Sequence, residues 1–152
     1  MSYNKHLIIF IFFVVGIQLS YAQKIVTWKD LSHITFSEEY YSEYDEYYLT
    51  PKFEEVVKEL EGKQIIITGY FLNIAPEENV YILSKTPMSA CFFCGVGGPE
   101  TAIELEFTNK PLFKTDKVVS VTGILKLNGT DVEHFNYILT SCTAKLANQS
   151  ER

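Results

Sequence analysis

The sequence predicts a mainly β fold, a small barrel with one N-terminal amphipathic helix packed on it. The first observation is a series of short alternating segments separated by turn residues, which is typical of small all-β domains. The second is a glycine inside each of two long segments, Gly69 and Gly123, where a small barrel needs sharp bends. The strand number and these glycines favour an oligonucleotide/oligosaccharide-binding (OB-like) type of barrel.

The first two segments precede the regular strands. Lys24 to Trp28 is short, apolar and β-branched, which predicts a first strand or a packed arm. Residues 37–48 are acidic and rich in tyrosine, and the tyrosines have the spacing of one helical face: Tyr40, Tyr41, Tyr44, Tyr47 and Tyr48. We interpret them as a stripe that covers the barrel behind a solvated acidic face. A partner surface or a calcium site is the alternative, although the spacing of a calcium-binding loop is missing.

Residues 50–62 predict the helix. Thr50 can cap it, Pro51 suits the first helical position, and Gly62 can end it. An apolar stripe along this segment predicts the face that packs on the barrel: Phe53, Val56, Val57 and Leu60.

After Gly62 the apolar period changes from helical to alternating, which predicts the barrel strands. The predicted strands cover residues 64–72, 79–84, 101–107, 118–127 and 135–144. The helix precedes these strands, whereas an OB barrel places its helix between the third and fourth strands. This order is a departure from the usual OB arrangement.

The first 22 residues have the organisation of a secretory signal peptide. Lys5 is followed by the apolar run 7–17, and small residues stand at Ser20 and Ala22 before the expected cleavage site. The run of about 11 residues is too short for a membrane span, which needs roughly 20. We therefore expect export to the periplasm or the medium without membrane insertion, and a single domain over residues 23–152.

Charge excludes nucleic acid as the ligand. The chain has 13 Lys and Arg against 19 Asp and Glu, and its sole arginine is Arg152. Phosphate binding needs clustered cations, which this composition does not provide. The sequence also has neither a nucleophile-elbow motif nor a nucleophile paired with a base, so we expect no enzyme, with thiol–disulfide chemistry as the open exception.

The run Cys91-Phe-Phe-Cys94 carries the most specific chemistry, and a glycine-rich loop follows it. Two thiolates at this spacing can bind zinc, form a local disulfide in an oxidising compartment, or pack as inert thiols. A closed zinc site needs four ligands, and the candidates for the others are Cys142, His134, His33 and Glu100. The simpler interpretation of Cys142 is that it packs in the core, and the simpler interpretation of His134 is that it is a solvated residue in a turn, rather than that either binds a metal. Asn128-Gly-Thr130 matches the glycosylation acceptor pattern.

Several motifs together resemble a family of exported bacterial small β-barrel (OB-like) domains, including lipoproteins, with no settled activity. The resemblance spans nearly all of the chain after the signal peptide. It rests on Trp28-Lys-Asp-Leu31, Leu60-Glu-Gly-Lys63, Ile67-Thr-Gly-Tyr70, Tyr81-Ile-Leu-Ser84, Cys91-Phe-Phe-Cys-Gly95, Gly98-Pro-Glu100, Val121-Thr-Gly-Ile-Leu-Lys-Leu-Asn128 and Tyr137-Ile-Leu139.

The resemblance implies a role in metal handling. One branch of that family has a cysteine and a histidine two residues apart in this loop, and some members are linked to zinc transporters. Cys91 matches the cysteine, Phe93 stands at the histidine position, and Cys94 follows. The leading hypothesis is thus a binding or accessory module with a zinc loop and an envelope-protein or transporter partner. The alternative is a non-enzymatic interaction module with a disulfide between Cys91 and Cys94 and the tyrosine-rich segment as its docking surface.

Overall fold

The computed structural model describes residues 23–91 and 94–148, so the predicted signal peptide and residues 92 and 93 lie outside the described residues. Two short helices are present, α1 (Trp28–Leu31) and α2 (Glu55–Lys58), with 3-10 turns at Met88–Ala90 and Pro99–Thr101. The strands are β1 (Lys24–Ile25), β2 (Ile34–Tyr41), β3 (Glu46–Phe53), β4 (Gln64–Ala75), β5 (Val80–Ser84), β6 (Ala102–Phe107), β7 (Lys117–Leu127) and β8 (Tyr137–Leu146).

Five strands form a closed barrel. Their order is β4-β5-β6-β8-β7, and β7 pairs back onto β4, so that this sheet closes on itself. Neighbouring strands are antiparallel except β6 and β8, which run parallel, and β1 adds to β4 in parallel. The prediction of a mainly β barrel is confirmed.

Alternating side chains of the barrel strands fill one core. Burying an aliphatic or aromatic side chain of this size contributes about 1.5–3 kcal/mol, so the inward face accounts for much of the stability of the barrel. The alternating apolar residues of three predicted strands are fully buried: Ile65, Ile67 and Phe71 in β4, Ile103 and Leu105 in β6, and Val119, Val121 and Leu125 in β7. Phe107 and Leu127, which continue the alternation in β6 and β7, are partly buried against the core.

Both strand glycines lie at close approaches of the barrel. A Cβ at Gly69 would stand 2.7 Å from the Ser84 carbonyl oxygen and 3.0 Å from the ring of Trp28, whose indole N–H donates to the Thr68 carbonyl. A Cβ at Gly123 would stand 3.0 Å from the Thr140 carbonyl oxygen, where the pairing of β7 with β8 shifts register. Ser141 has a φ of 54° at this irregularity. The glycines therefore allow β4 to lie beside Trp28 and β8 to bulge against β7.

The helix expected over residues 50–62 is much shorter. Thr50, Pro51 and Phe53 belong to β3, and only Glu55–Lys58 is helical. Pairing with β2 along its whole length holds these residues extended, and Pro51 is tolerated because a two-stranded sheet leaves one edge unpaired. The apolar stripe still contributes to the core through Val57 and Leu60, which are buried, whereas Val56 is exposed.

The tyrosine-rich segment is not a helix either. Its residues lie on β2, β3 and the turn between them, which together form a separate two-stranded sheet. Tyrosines are good strand formers, and residues 42–45 at the tip form a turn with Asp45 at a φ of 56°. The predicted first strand is likewise shorter, because Trp28 begins α1, which Thr27 and Asp30 cap reciprocally.

Candidate functional site

The hairpin β2–β3 presents tyrosines on both of its faces. Tyr40 lies opposite Tyr47 with ring centroids 5.3 Å apart, and these rings are 52% and 71% exposed. On the other face the Tyr48 ring lies 5.5 Å from Tyr41 and 5.7 Å from Tyr44. Such aromatic pairs contribute stabilisation in addition to that from buried apolar area. Contacts between tyrosine rings therefore stabilise the exposed end of this hairpin.

A groove separates this hairpin from the loop between β7 and β8. Its volume is about 370 Å³, which is within the range of sites that hold small ligands or peptide side chains. We call it the tyrosine groove: Tyr41, Tyr47, Tyr48, Leu49 and Pro51 line one wall, and residues 129–136 with Pro99 line the other. Three tyrosines, one leucine and two prolines make it largely apolar.

Asn128 shapes the loop wall of the groove. Its side chain is 7% exposed, and its Oδ1 accepts hydrogen bonds from the backbone N–H groups of Thr130 (3.3 Å) and Asp131 (3.0 Å). Its Nδ2 donates to the carbonyl oxygens of Asp131 (2.7 Å), His134 (3.2 Å) and Phe135 (3.3 Å). A single buried amide thus makes five hydrogen bonds to backbone groups of this wall and organises most of it.

His134 fastens the same loop to the barrel. Its Nδ1 lies 2.9 Å from Oε1 and 3.0 Å from Oε2 of Glu104 in β6, and the Phe135 N–H donates to the same carboxylate. The hydrogen bond to Glu104 and its negative charge raise the pKa of His134 above its usual value, with a smaller contribution from Asp131. His134 also lines a second cavity of about 520 Å³ over β5 and β6. The ion pair therefore lies between the two cavities.

The groove is flanked by acidic side chains. Residues 30–51 and 127–144 contain no Lys or Arg, so neither wall carries a fixed positive charge. Desolvation, followed by Glu43, Glu133 and Asp131, raises the pKa of Tyr44, which places acids of both walls near the same ring. Desolvation and Glu46 similarly raise the pKa of Tyr48. A raised pKa keeps the phenols of Tyr44 and Tyr48 neutral beside these acids.

The two loop cysteines, Cys91 and Cys94, lie close together but differ in solvent exposure. Cys91 is 1% exposed and packs with Leu72, Ile82 and Ala102, whereas Cys94 is exposed, and both are free thiols. The Cys94 N–H donates to the Cys91 carbonyl at 2.9 Å, which closes a turn, and the Cys94 thiol donates to the Met88 carbonyl at 3.3 Å. A turn of this kind brings two Cα atoms within about 7 Å, the spacing that either a disulfide or a shared metal requires.

The other proposed ligands lie in different surroundings. Cys142 is in the barrel core, where its thiol donates to the Leu139 carbonyl and burial raises its pKa to about 12. His134 is paired with Glu104, and Glu100 lies in the 3-10 turn Pro99–Thr101. His33 lies 3.2 Å from Glu54. Among residues 23–91 and 94–148, no three His, Cys, Asp or Glu side chains are grouped so that they could hold a metal ion.

The sequence pointed to the tyrosines of the hairpin wall as an alternative partner surface, but it did not single out the residues that build the loop wall. Asn128 stood out only as a glycosylation acceptor and as the last residue of one resemblance motif, and the apolar alternation of residues 101–107 placed Glu104 only on the outward face of its strand. The Asn-Gly pair at 128–129 is a turn signal that could have indicated a structured loop. Nothing local links Glu104 to His134, since 30 residues separate them.

No protein-family model, curated protein or solved structure matches this chain significantly. Within the part of the chain that the structure describes, no helix has the length and apolar character needed to cross a membrane.

Proposed function

We propose that this chain is an exported, non-enzymatic protein-interaction module whose docking surface is the tyrosine groove. The observation that carries the proposal is the groove itself, an apolar cleft between an exposed aromatic hairpin and a loop held by one buried amide. Tyrosines supply large contact area at low conformational cost, which is why they are enriched where proteins bind partners. Export is supported by the signal-peptide organisation of residues 1–22.

The barrel is of the OB-like type in this proposal. Five strands in the order β4-β5-β6-β8-β7, closing on β4 with one parallel pair, support a Greek-key barrel of that kind. OB barrels bind ligands with their second and third strands and with the loops after the first and fourth strands. The loop after the fourth barrel strand is here residues 128–136, most of which line the tyrosine groove.

A peptide selection tests the docking surface. Short random peptides displayed on phage are selected on the folded chain and counter-selected on the double variant Tyr47→Ser, Leu49→Ser. Both side chains are largely exposed, so the variant keeps its core. We expect peptides that prefer the parent chain, and amide chemical shift changes that cluster in residues 41–51 and 129–136. The proposal fails if no peptide discriminates between the two chains or if the shifts map elsewhere.

Zinc binding by Cys91 and Cys94 is the second candidate function, with an envelope protein or transporter as the partner. It is favoured by the turn in which the Cys94 backbone N–H donates to the Cys91 carbonyl at 2.9 Å, since this turn brings two residues with free thiols close together. Two thiolates make half of a closed zinc site, and the remaining ligands would come from another molecule or from water.

Native mass spectrometry of the chain, purified without chelator, decides between metal and disulfide. A mass excess of one zinc that disappears in the variant Cys91→Ser, Cys94→Ser supports metal handling. A metal-free mass two hydrogens below that of the reduced chain indicates a disulfide and excludes this candidate. Cys142→Ser is the matched control, because that thiol is buried in the core.

A further inference from the structure

We propose that the tyrosine groove binds a segment of a partner protein that carries Lys or Arg beside apolar residues. The inference rests on the proposed docking function and specifies the chemistry of its occupant. It is argued from the charge of both walls and from the exposed aromatic rings.

The acids stand on both sides of the groove. Asp131 and Glu133 line the loop wall, and Glu43 and Glu46 stand at the tip of the hairpin, beyond the residues that line the groove. The charges of Asp131 and Glu133 raise the pKa of Tyr44, and the charge of Glu43 does the same. The acids of the loop and the acid of the hairpin tip therefore lie near the same ring. The nearest cations along the chain lie just outside the two cation-free ranges: Lys29, Lys52, Lys126 and Lys145. The cationic groups nearest the loop wall are His134, which is paired with Glu104, and Lys126, which acts on His134. The acids outnumber them, so a cationic segment would enter a predominantly negative field.

The aromatic wall complements the same ligand. A Lys or Arg side chain is attracted to the face of a tyrosine ring as well as to a carboxylate, and Arg can stack on one while it binds the other. Tyr47 is 71% exposed and Leu49 54% exposed, so a ring and an aliphatic side chain are both open to a ligand. Apolar residues of the partner segment would pack against the apolar wall, and its Lys or Arg side chains would pair with the acids.

Other occupants fit less well. An anionic ligand, such as nucleic acid or an acidic peptide, would meet four carboxylates and no Lys or Arg in either wall. A neutral segment would bury apolar area but form no ion pair with the acids. A second copy of the chain could offer its own lysine-bearing segment at residues 110–117, where Leu112 is 95% exposed, and this case is separated by the experiment below.

The test uses three synthetic peptides with identical apolar residues that differ only in carrying Lys, Gln or Glu. Affinity for the parent chain is measured by titration calorimetry at about 0.05 M and about 0.5 M salt. We expect the Lys peptide to bind at least about tenfold more tightly than the Gln peptide, with the difference reduced at high salt, and the Glu peptide not to bind. Tyr47→Ser, Leu49→Ser should weaken the Lys and Gln peptides alike.

A charge exchange gives the sharper test. The variant Glu43→Lys, Glu133→Lys should lose at least about tenfold in affinity for the Lys peptide and acquire binding of the Glu peptide. The variant Glu59→Lys, Glu61→Lys makes the same change in net charge at exposed residues that do not line the groove, and should change affinity by less than about threefold.

The outcomes separate this inference from the proposed function. Equal binding of the Lys and Gln peptides, both lost in Tyr47→Ser, Leu49→Ser, overturns the inference and leaves the docking surface standing. Absence of binding by all three peptides overturns both. Concentration-dependent self-association in sedimentation, abolished by Tyr47→Ser or Leu112→Ser, would identify a second copy as the occupant and also overturn the inference.

Discussion

Gly69 lies at a position where the barrel has no space for a side chain. The residue lies where Trp28 crosses β4 and where β5 approaches, and a Cβ would be only 2.7 Å from the Ser84 carbonyl oxygen. Backbone cannot move aside as a flexible side chain can. We therefore expect Gly69→Ala to reduce the free energy of unfolding by about 1–3 kcal/mol in urea denaturation. Gly129→Ala is the control, because its Cβ would meet only Phe53 at 3.9 Å. Equal effects of the two substitutions would contradict the close approach.

Asn128 is the second residue on which the site depends. Its amide uses both acceptor and donor groups, so Asn128→Asp removes the donors to three carbonyl oxygens and leaves the acceptors. A buried hydrogen-bonding group without its partner costs about 1–3 kcal/mol. We expect Asn128→Asp to destabilise the chain by that amount and to shift amide resonances of residues 129–136 more than those of β4. Unchanged loop resonances would show that the amide does not organise the wall.

At the scale of elements, the loop between β7 and β8 is held to β6 by His134 and Glu104. The raised pKa of His134 means that this contact stabilises the protein fully below the ordinary histidine pKa of about 6.5 and is lost as the pH rises through the higher folded value. The pair is partly exposed, so its contribution is below about 1 kcal/mol.

We expect stability to fall slightly between about pH 6 and pH 8.5, and this fall to be smaller in His134→Gln, which cannot titrate. Urea denaturation at both pH values measures the difference. His33→Gln is the matched control, because His33 also faces a carboxylate but lies outside the groove. An identical pH profile in parent and His134→Gln would contradict the role of the ion pair.

At the scale of the whole molecule, the chain consists of a closed barrel and a hairpin that shares no ladder with it. The hairpin is anchored at its base, where Ile34 and Phe53 pack on the core and the Phe53 ring lies 5.7 Å from Tyr137. Its far end is held mainly by its own rings. Local opening should therefore cost less there than in the barrel.

Native-state hydrogen exchange measures this difference directly. We expect amides of β4 and β7 to exchange only by global unfolding, and amides near Tyr40 and Tyr47 to exchange with a lower opening free energy. Equal opening free energies in the two regions would show that the barrel and the hairpin unfold as one cooperative unit. Binding of a groove ligand should raise the opening free energy of the hairpin amides, because opening of the hairpin removes one wall of the groove. It should also raise that of amides that exchange by global unfolding, since global unfolding releases the ligand as well.

The sequence by itself determined the barrel strands, because alternation of apolar residues fixes which side chains can be buried together. Ile65, Ile67, Val119 and Val121 follow from that pattern alone. It also indicated the two strand glycines, although it could not name Trp28 or Thr140 as the groups that approach them.

Only the tertiary structure decided the form of the segment 34–62 and the site. Tyrosines at 40, 41, 44, 47 and 48 satisfy a helical period and a hairpin equally well, and the choice depended on pairing between two strands, which local spacing does not encode. The groove brings together Tyr47 and Asp131, which are 84 residues apart in the sequence. The ion pair beside it joins Glu104 and His134, which are 30 residues apart. Such contacts arise from barrel closure, so no local pattern of residues contains them.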